Sequence, residues 1–237
     1  MPVGNPDPSI DKVRDYLISL KGFNEFFGNL LIERRTNPTE DIISDVATAE
    51  VNDEELNDAE MLSMLQQFLV AGNETTTKLL TNLIHRLSVD SELEDKLRSS
   101  PDLIDNFIEE GLRYEAPVGG LFRMAKEDTK VNNVEIKAGD HLWVIYAAAN
   151  RDPERFENPD DFLVDRENAR EHLAFGHGEH YCIGALLARK EARIAIQLLL
   201  ANIKNIQLVE DKNRYEYEES FVLRGLKELH VSYDVIA

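Results

Sequence analysis

A single cysteine carries the clearest chemical signal in this 237-residue sequence. Cys182 follows an aromatic residue, Phe175, and lies among the glycines Gly176, Gly178 and Gly184. Glycine permits backbone conformations and close approaches that other residues exclude. A helical pattern begins just after the cysteine, and the free N–H groups and positive dipole at a helix start stabilise a thiolate. A lone cysteine is more often a buried structural residue, but this spacing favours a metal held by one thiolate.

The segment around this cysteine resembles a known cofactor loop. Phe-Gly-His-Gly-Glu-His-Tyr-Cys-Ile-Gly, from Phe175 to Gly184, is similar to the heme-binding loop of the bacterial cytochromes P450, which are heme-thiolate monooxygenases. The resemblance implies that Cys182 is the proximal ligand of the iron of heme b, iron protoporphyrin IX. It also implies that Phe175 packs near the heme, that His180 contacts a heme propionate, and that Gly176 and Gly184 belong to the cofactor site.

A polar segment at residues 71–76 is predicted to interrupt a long apolar helix that the sequence predicts from about residue 58 to about residue 89. Gly72 costs about 1 kcal/mol relative to alanine in a helix, and its polar neighbours add to that cost. A threonine that bends the helix by bonding to a carbonyl would explain the same pattern. The segment also resembles the family's Ala-Gly-x-Glu/Asp-Thr, which kinks the helix over the distal heme face, with Ala71 at the cofactor. Thr75 would then bond dioxygen or a relay water and Glu74 would help deliver protons, as the two catalytic residues.

Glu110 and Arg113 are three residues apart on a predicted helix, so their side chains share one face. An ordinary surface ion pair has the same spacing and contributes little to stability. The resemblance implies instead a buried pair that holds the core to the irregular segment before the cysteine loop. Arg155, or a neighbouring polar group at 152–156, is predicted to complete this structural network.

Two further groups of residues enter through the resemblance. Arg123 would pair with a heme propionate, because a guanidinium can bond such an anion bidentately; a solvated strand arginine is the rival interpretation. The resemblance places the substrate pocket at two apolar segments, which contain Val118, Gly119, Phe221 and Val222. Core packing would produce the same composition, but these residues favour an apolar organic substrate.

Hydrophobic periodicity predicts a mainly helical protein with small antiparallel β-sheets. Helices are predicted at about 9–35, 41–49, 58–89, 92–99, 101–116 and 183–202, an acidic loop at 50–58, short strands of one small sheet within 118–143, an irregular connection at 150–170, and strands within 206–237. By resemblance this is one cytochrome P450 domain, residues 1–237, that corresponds to roughly the C-terminal half of the family's usual length. The family's N-terminal sheet and early helices are therefore expected to be absent.

Charge and cysteine content exclude several classes of protein. The net charge of −19 argues against binding to nucleic acid or to an anionic membrane surface. No apolar run is long enough to cross a membrane. One cysteine excludes an internal disulfide and suits a reducing compartment, so we expect a cytoplasmic location without membrane partners.

The resemblance implies a monooxygenase that inserts one oxygen atom from dioxygen into a small organic substrate. Its electrons would come from a ferredoxin-type or flavodoxin-type donor. A peroxide-driven heme-thiolate oxidase is one alternative, although Glu74 and Thr75 argue against it because peroxide users need no proton relay. A catalytically silent fragment or assembly partner is the other, and it is favoured by the expected absence of the N-terminal half.

Overall fold

The computed structural model describes residues 9–51 and 53–236, and it confirms a mainly helical chain with small antiparallel β-sheets. The chain divides into two compact units between Glu74 and Thr75, within its longest helix. That helix, α3, extends from Asp58 to Val89.

The first unit contains α1 (Ile10–Thr36), α2 (Ile42–Ala47) and the first part of α3. α1 and α2 each begin with an N-cap residue, Ser9 and Asp41, whose side-chain oxygen accepts a hydrogen bond from a backbone N–H of the first turn. The segment predicted as an acidic loop forms a small hairpin of β1 (Glu50–Val51) and β2 (Glu54–Glu55). The apolar core of this unit consists of Leu31, Val46, Ala47, Met61 and Leu65.

The polar segment of α3 does not interrupt the helix. Helical structure is continuous from Asp58 to Val89, through Gly72, so the predicted interruption is wrong. The cost of one helical glycine, about 1 kcal/mol, is small beside the favourable propensities of the leucine, methionine and glutamine residues in the same helix.

Among the residues that the structure describes, the second unit contains the rest of α3 and four further α-helices. These are α4 (Ser91–Ser99), α5 (Ile104–Tyr114, after a 3₁₀ turn at Pro101–Leu103), α6 (Tyr146–Ala149) and α7 (Ala185–Asn202). α5 packs closely on α3 because Gly111 has no side chain: a Cβ there would clash with Leu83 Cδ2. The core of this unit includes Leu79, Leu83 and Leu87 of α3, Phe107, Ile108 and Leu112 of α5, and Ala192 and Ile196 of α7.

The strands of the second unit form three separate antiparallel pairs. These are β3 (Leu121–Met124) with β6 (His141–Val144), β4 (Thr129–Val131) with β5 (Val134–Ile136), and β7 (Ile203–Leu208) with β8 (Val231–Val235). The prediction of one small sheet within 118–143 is therefore wrong, because β4 and β5 pair only with each other. Irregular chain with two 3₁₀ turns, Ala169–Glu171 and Gly178–His180, connects α6 to α7. No helix within the described residues is long and apolar enough to cross a membrane.

Candidate functional site

Cys182 lies in the turn that leads into α7, and it is exposed. Its backbone N–H donates to the carbonyl oxygen of Phe175 at 2.9 Å, which closes the loop between the two residues. Gly176 and Gly178 both have φ +73°, a left-handed conformation that favours glycine. The two glycines thus allow the chain to fold back, and the thiol lies just before the N-terminus of an 18-residue helix.

Cys182 is the one metal ligand that this loop is predicted to offer, so the site suits a metal that brings most of its own ligands. Within residues 9–51 and 53–236, no group of three or more His, Cys, Asp or Glu side chains could hold a metal ion. The next large apolar side chains along the chain, Ile183 and Leu186, are 88% and 82% exposed. One thiolate beside exposed apolar side chains cannot enclose a bare ion, but it fits an iron whose other ligands come from an apolar macrocycle. These residues therefore fit a heme.

The two residues predicted to pair with heme propionates lie at the surface. His180 is exposed at the end of the 3₁₀ turn Gly178–His180. Arg123 is exposed on β3, where its Nη1 donates to the carbonyl oxygen of Phe122 at 2.9 Å. Both side chains are therefore accessible to a carboxylate such as a heme propionate.

Glu110 and Arg113 form a fully buried ion pair on α5. Arg113 Nε donates to Glu110 Oε2 at 2.7 Å, and Arg113 Nη2 donates to Oε1 at 2.8 Å. Both side chains have 0% exposure. Arg113 also donates to the carbonyl oxygens of Asn150, Pro159 and Asp161, so α5 holds the start and a middle part of the irregular segment after α6.

Arg166, and not Arg155, completes this network. Arg166 Nε lies 3.1 Å from each carboxylate oxygen of Glu110, and its side chain is 4% exposed. Arg155 is exposed and pairs with Glu171 at 2.8 Å, so its predicted place in the network is wrong. The physical reason is the direction of the irregular segment, which turns the side chain of Arg166 inward and leaves that of Arg155 in solvent.

The two segments predicted to line the substrate pocket lie against each other. Val118 forms an isolated antiparallel bridge with Leu223, and Gly119 N–H donates to the carbonyl oxygen of Val222 at 2.8 Å. Phe221 packs edge-on against Trp143, with ring centroids 6.3 Å apart. Val118, Gly119, Phe221 and Val222 thus form one local cluster.

The predicted catalytic residues lie on α3. Ala71, predicted to lie at the cofactor, and Glu74 belong to the first unit, and Thr75 is the first residue of α3 that belongs to the second unit. Ala71 is exposed, whereas Glu74 and Thr75 are half-buried. These placements leave the proton-relay role a prediction from the resemblance.

Comparison with known proteins decides the family. Residues 14–230 match the family model for cytochrome P450. The chain belongs to the cytochrome P450 family. It is 41% identical over 212 residues to a cytochrome P450 of Bacillus subtilis, an alignment that covers 89% of this chain and 52% of the relative. The biotin biosynthesis cytochrome P450 of the same organism is 38% identical, over 88% of this chain and 52% of its own length.

Solved structures confirm that the fold is part of a P450 fold. CYP109E1 from Bacillus megaterium, in complex with testosterone, has a TM-score of 0.87 and 35% identity, and the match covers 93% of this chain and 61% of that one. P450BioI, in complex with an acyl carrier protein ligated to hexadec-9Z-enoic acid, has a TM-score of 0.88 and 36% identity over 96% of this chain and 57% of that one. The chain spans about half the length of the curated relatives it matches.

The sequence did not indicate three buried polar residues of this P450 chain: Glu109, Arg166 and His172. Arg166 and His172 lie in irregular chain, where no periodicity predicts which side chains face inward. Glu109 is adjacent to Glu110, but the three-residue spacing to Arg113 singles out only Glu110. The nearest signal was the group of four arginines within residues 150–170, because a buried carboxylate needs a cationic partner.

Proposed function

We propose that this chain is the heme-binding, C-terminal part of a heme-thiolate monooxygenase. The observation that carries the proposal is the exposed Cys182, fixed by its own N–H to Phe175 at the start of α7. When bound at this thiolate, a heme supplies the activation of dioxygen, one atom of which would enter an organic substrate. Cys182 would hold the iron of heme b, and Phe175 would pack beside it.

The remaining assignments concern groups that bind, orient or move protons. Arg123 and His180 are proposed to pair with the two propionates, because both are exposed and can donate hydrogen bonds. Thr75 and Glu74 are proposed to hold a relay water and pass protons to the oxygen site. Glu110, Arg113 and Arg166 keep the irregular segment before the cysteine loop in a fixed position.

We propose an apolar organic substrate that contacts the cluster of Val118, Gly119, Phe221 and Val222. Two relatives support this class, because one is described with testosterone and another with a fatty acyl chain on a carrier protein. Electrons would come from a ferredoxin-type or flavodoxin-type donor. A second candidate function, a heme-binding chain without turnover of its own, is favoured by the match to about half of each relative.

Heme titration of the purified chain tests the proposal. The reduced carbon-monoxide complex should absorb at about 450 nm, the band from which the family takes its name. Cys182→Ser should abolish this band, whereas His177→Ala, a change at an exposed residue of the same loop, should retain it. A Cys182→Ser protein that keeps the band would refute the iron ligand. A wild-type chain that shows the band but turns over no substrate with an electron donor would support the second candidate.

A further inference from the structure

A second carboxylate on α5 contacts both α7 and the segment just before the cysteine loop. Glu109 is 2% exposed and accepts two hydrogen bonds from the guanidinium of Arg189, at 2.7 Å from Nε and 3.0 Å from Nη2. The same carboxylate lies 3.1 Å from Nε2 of His172, three residues before the loop. Three parts of the chain, namely α5, the segment before the cysteine loop and α7, therefore meet at one buried carboxylate.

The two ring nitrogens of His172 have different partners. Ala174 N–H donates to His172 Nδ1 at 3.1 Å, so Nδ1 is the acceptor. Nε2 is then the nitrogen that donates a hydrogen bond to Glu109. Burial raises the pKa of Glu109, but hydrogen bonds from His172 and Arg189 outweigh it and lower that pKa to about 2. The carboxylate is therefore charged at neutral pH; Arg189 is its hydrogen-bonded counter-ion, and Arg170 Nε lies 3.6 Å from its Oε1.

Arg189 also contacts the residues on both sides of the cysteine-loop closure. Its guanidinium carbon lies 4.6 Å from the ring centroid of Phe175, whose carbonyl oxygen accepts the N–H of Cys182. Its Nη1 donates to the hydroxyl oxygen of Tyr181 at 3.2 Å, and Tyr181 immediately precedes Cys182. A planar guanidinium can make the bidentate bond and the ring contact at once, and a lysine cannot.

We propose that Glu109, His172 and Arg189 form a clamp that positions the sulfur of Cys182 for its iron. They are positioning residues, because each acts through Phe175, Tyr181 or the loop backbone. The identity of the bound group rests on the proposed function, but the clamp itself acts on the loop with or without heme.

Hydrogen exchange in the heme-free chain tests the clamp directly. Arg189→Lys keeps the positive charge but loses the bidentate bond and the ring contact. The Cys182 amide should then exchange about tenfold faster, which corresponds to about 1.4 kcal/mol of local stability, while the amides of α4 keep their rates. Arg193→Lys is the matched control: Arg193 pairs with Asp105 and joins the same two helices one turn farther from the loop. It should leave Cys182 exchange unchanged.

Two results would overturn the clamp. Unchanged exchange at Cys182 in Arg189→Lys would mean that Arg189 does not hold the loop. Equal acceleration at Cys182 and throughout α4 would mean that Arg189 only stabilises the unit as a whole. Glu109→Gln provides a second variant of nearly the same size, and it should also accelerate exchange at Cys182 selectively. A chain that binds no heme would refute the proposed function and would leave the exchange result to decide on the clamp.

Discussion

Replacement of Glu110 by glutamine should destabilise the second unit severely. The carboxylate accepts hydrogen bonds from both Arg113 and Arg166, and also from the backbone N–H of Leu163 at 2.9 Å. Glutamine has almost the same shape, so packing changes little. The substitution therefore isolates the loss of negative charge between two buried guanidinium groups.

The expected magnitude follows from burial. Glu110 and Arg113 have no solvent exposure and Arg166 has 4%, so water cannot replace the lost charge. Removal of one partner from a buried ion pair costs about 3–5 kcal/mol. A domain of this kind has a free energy of unfolding of about 5–15 kcal/mol, so the loss is a large fraction of the total.

Urea unfolding followed by the fluorescence of Trp143 provides the assay, because this is the only tryptophan of the sequence and it lies in the second unit. Glu171→Gln is the matched control: it breaks the exposed pair with Arg155 and should cost less than about 1 kcal/mol. If Glu110→Gln also changed the free energy of unfolding by less than about 1 kcal/mol, the argument from buried charge would be wrong.

Three further predictions use the same chain. The pKa of Glu109 is lowered from 4.5 to about 2. The stability that the charged carboxylate contributes, about 3 kcal/mol, should therefore be present above about pH 4.5 and be lost as the pH falls towards 2. Glu109→Gln should reduce the dependence of the free energy of unfolding on pH across this range. Gly120→Ala should cost more stability than Gly119→Ala, because its Cβ would lie 2.6 Å from the Val144 carbonyl oxygen, against a nearest contact of 3.8 Å at Gly119; equal midpoints in urea would contradict this. In a heme-loaded, electron-supplied protein, Thr75→Ala should lower the ratio of product formed to reductant consumed, and an unchanged ratio would remove Thr75 from the proton relay.

Sequence periodicity predicted the helices well because their apolar faces repeat. The bounds of α3, predicted at about 58–89, agree with Asp58–Val89, and α7 ends at Asn202 as expected. Periodicity also placed Glu110 and Arg113 on one face, since three residues make almost one turn. The sequence showed that Gly72 lowers the stability of the helix, but not that the helix stays continuous. Continuity depends on the summed helix propensity of all its residues.

Irregular chain limited the prediction of the site. Arg155 and Arg166 lie in the same connection, and no local pattern distinguishes an arginine that turns inward from one that stays in solvent. The distinction depends on backbone direction, which Arg113 fixes through the carbonyl oxygens of Pro159 and Asp161. The partner of Glu110 is thus determined by tertiary contacts 56 residues away in the chain.

The two adjacent carboxylates of α5 explain how long irregular segments can hold fixed positions. Consecutive helical residues point about 100° apart, so Glu109 and Glu110 face different surroundings. Glu110 binds the guanidinium groups of Arg113 and Arg166, which organise the segment after α6. Glu109 binds the guanidinium group of Arg189 on α7, which contacts the cysteine loop. A buried carboxylate without a cationic partner is strongly destabilising, so each carboxylate penalises every loop arrangement that withdraws its arginine. The short helix α5 therefore restrains both irregular segments, because leaving either carboxylate unpaired costs free energy. These ion pairs restrain chain that lacks the backbone hydrogen bonds of helices and strands.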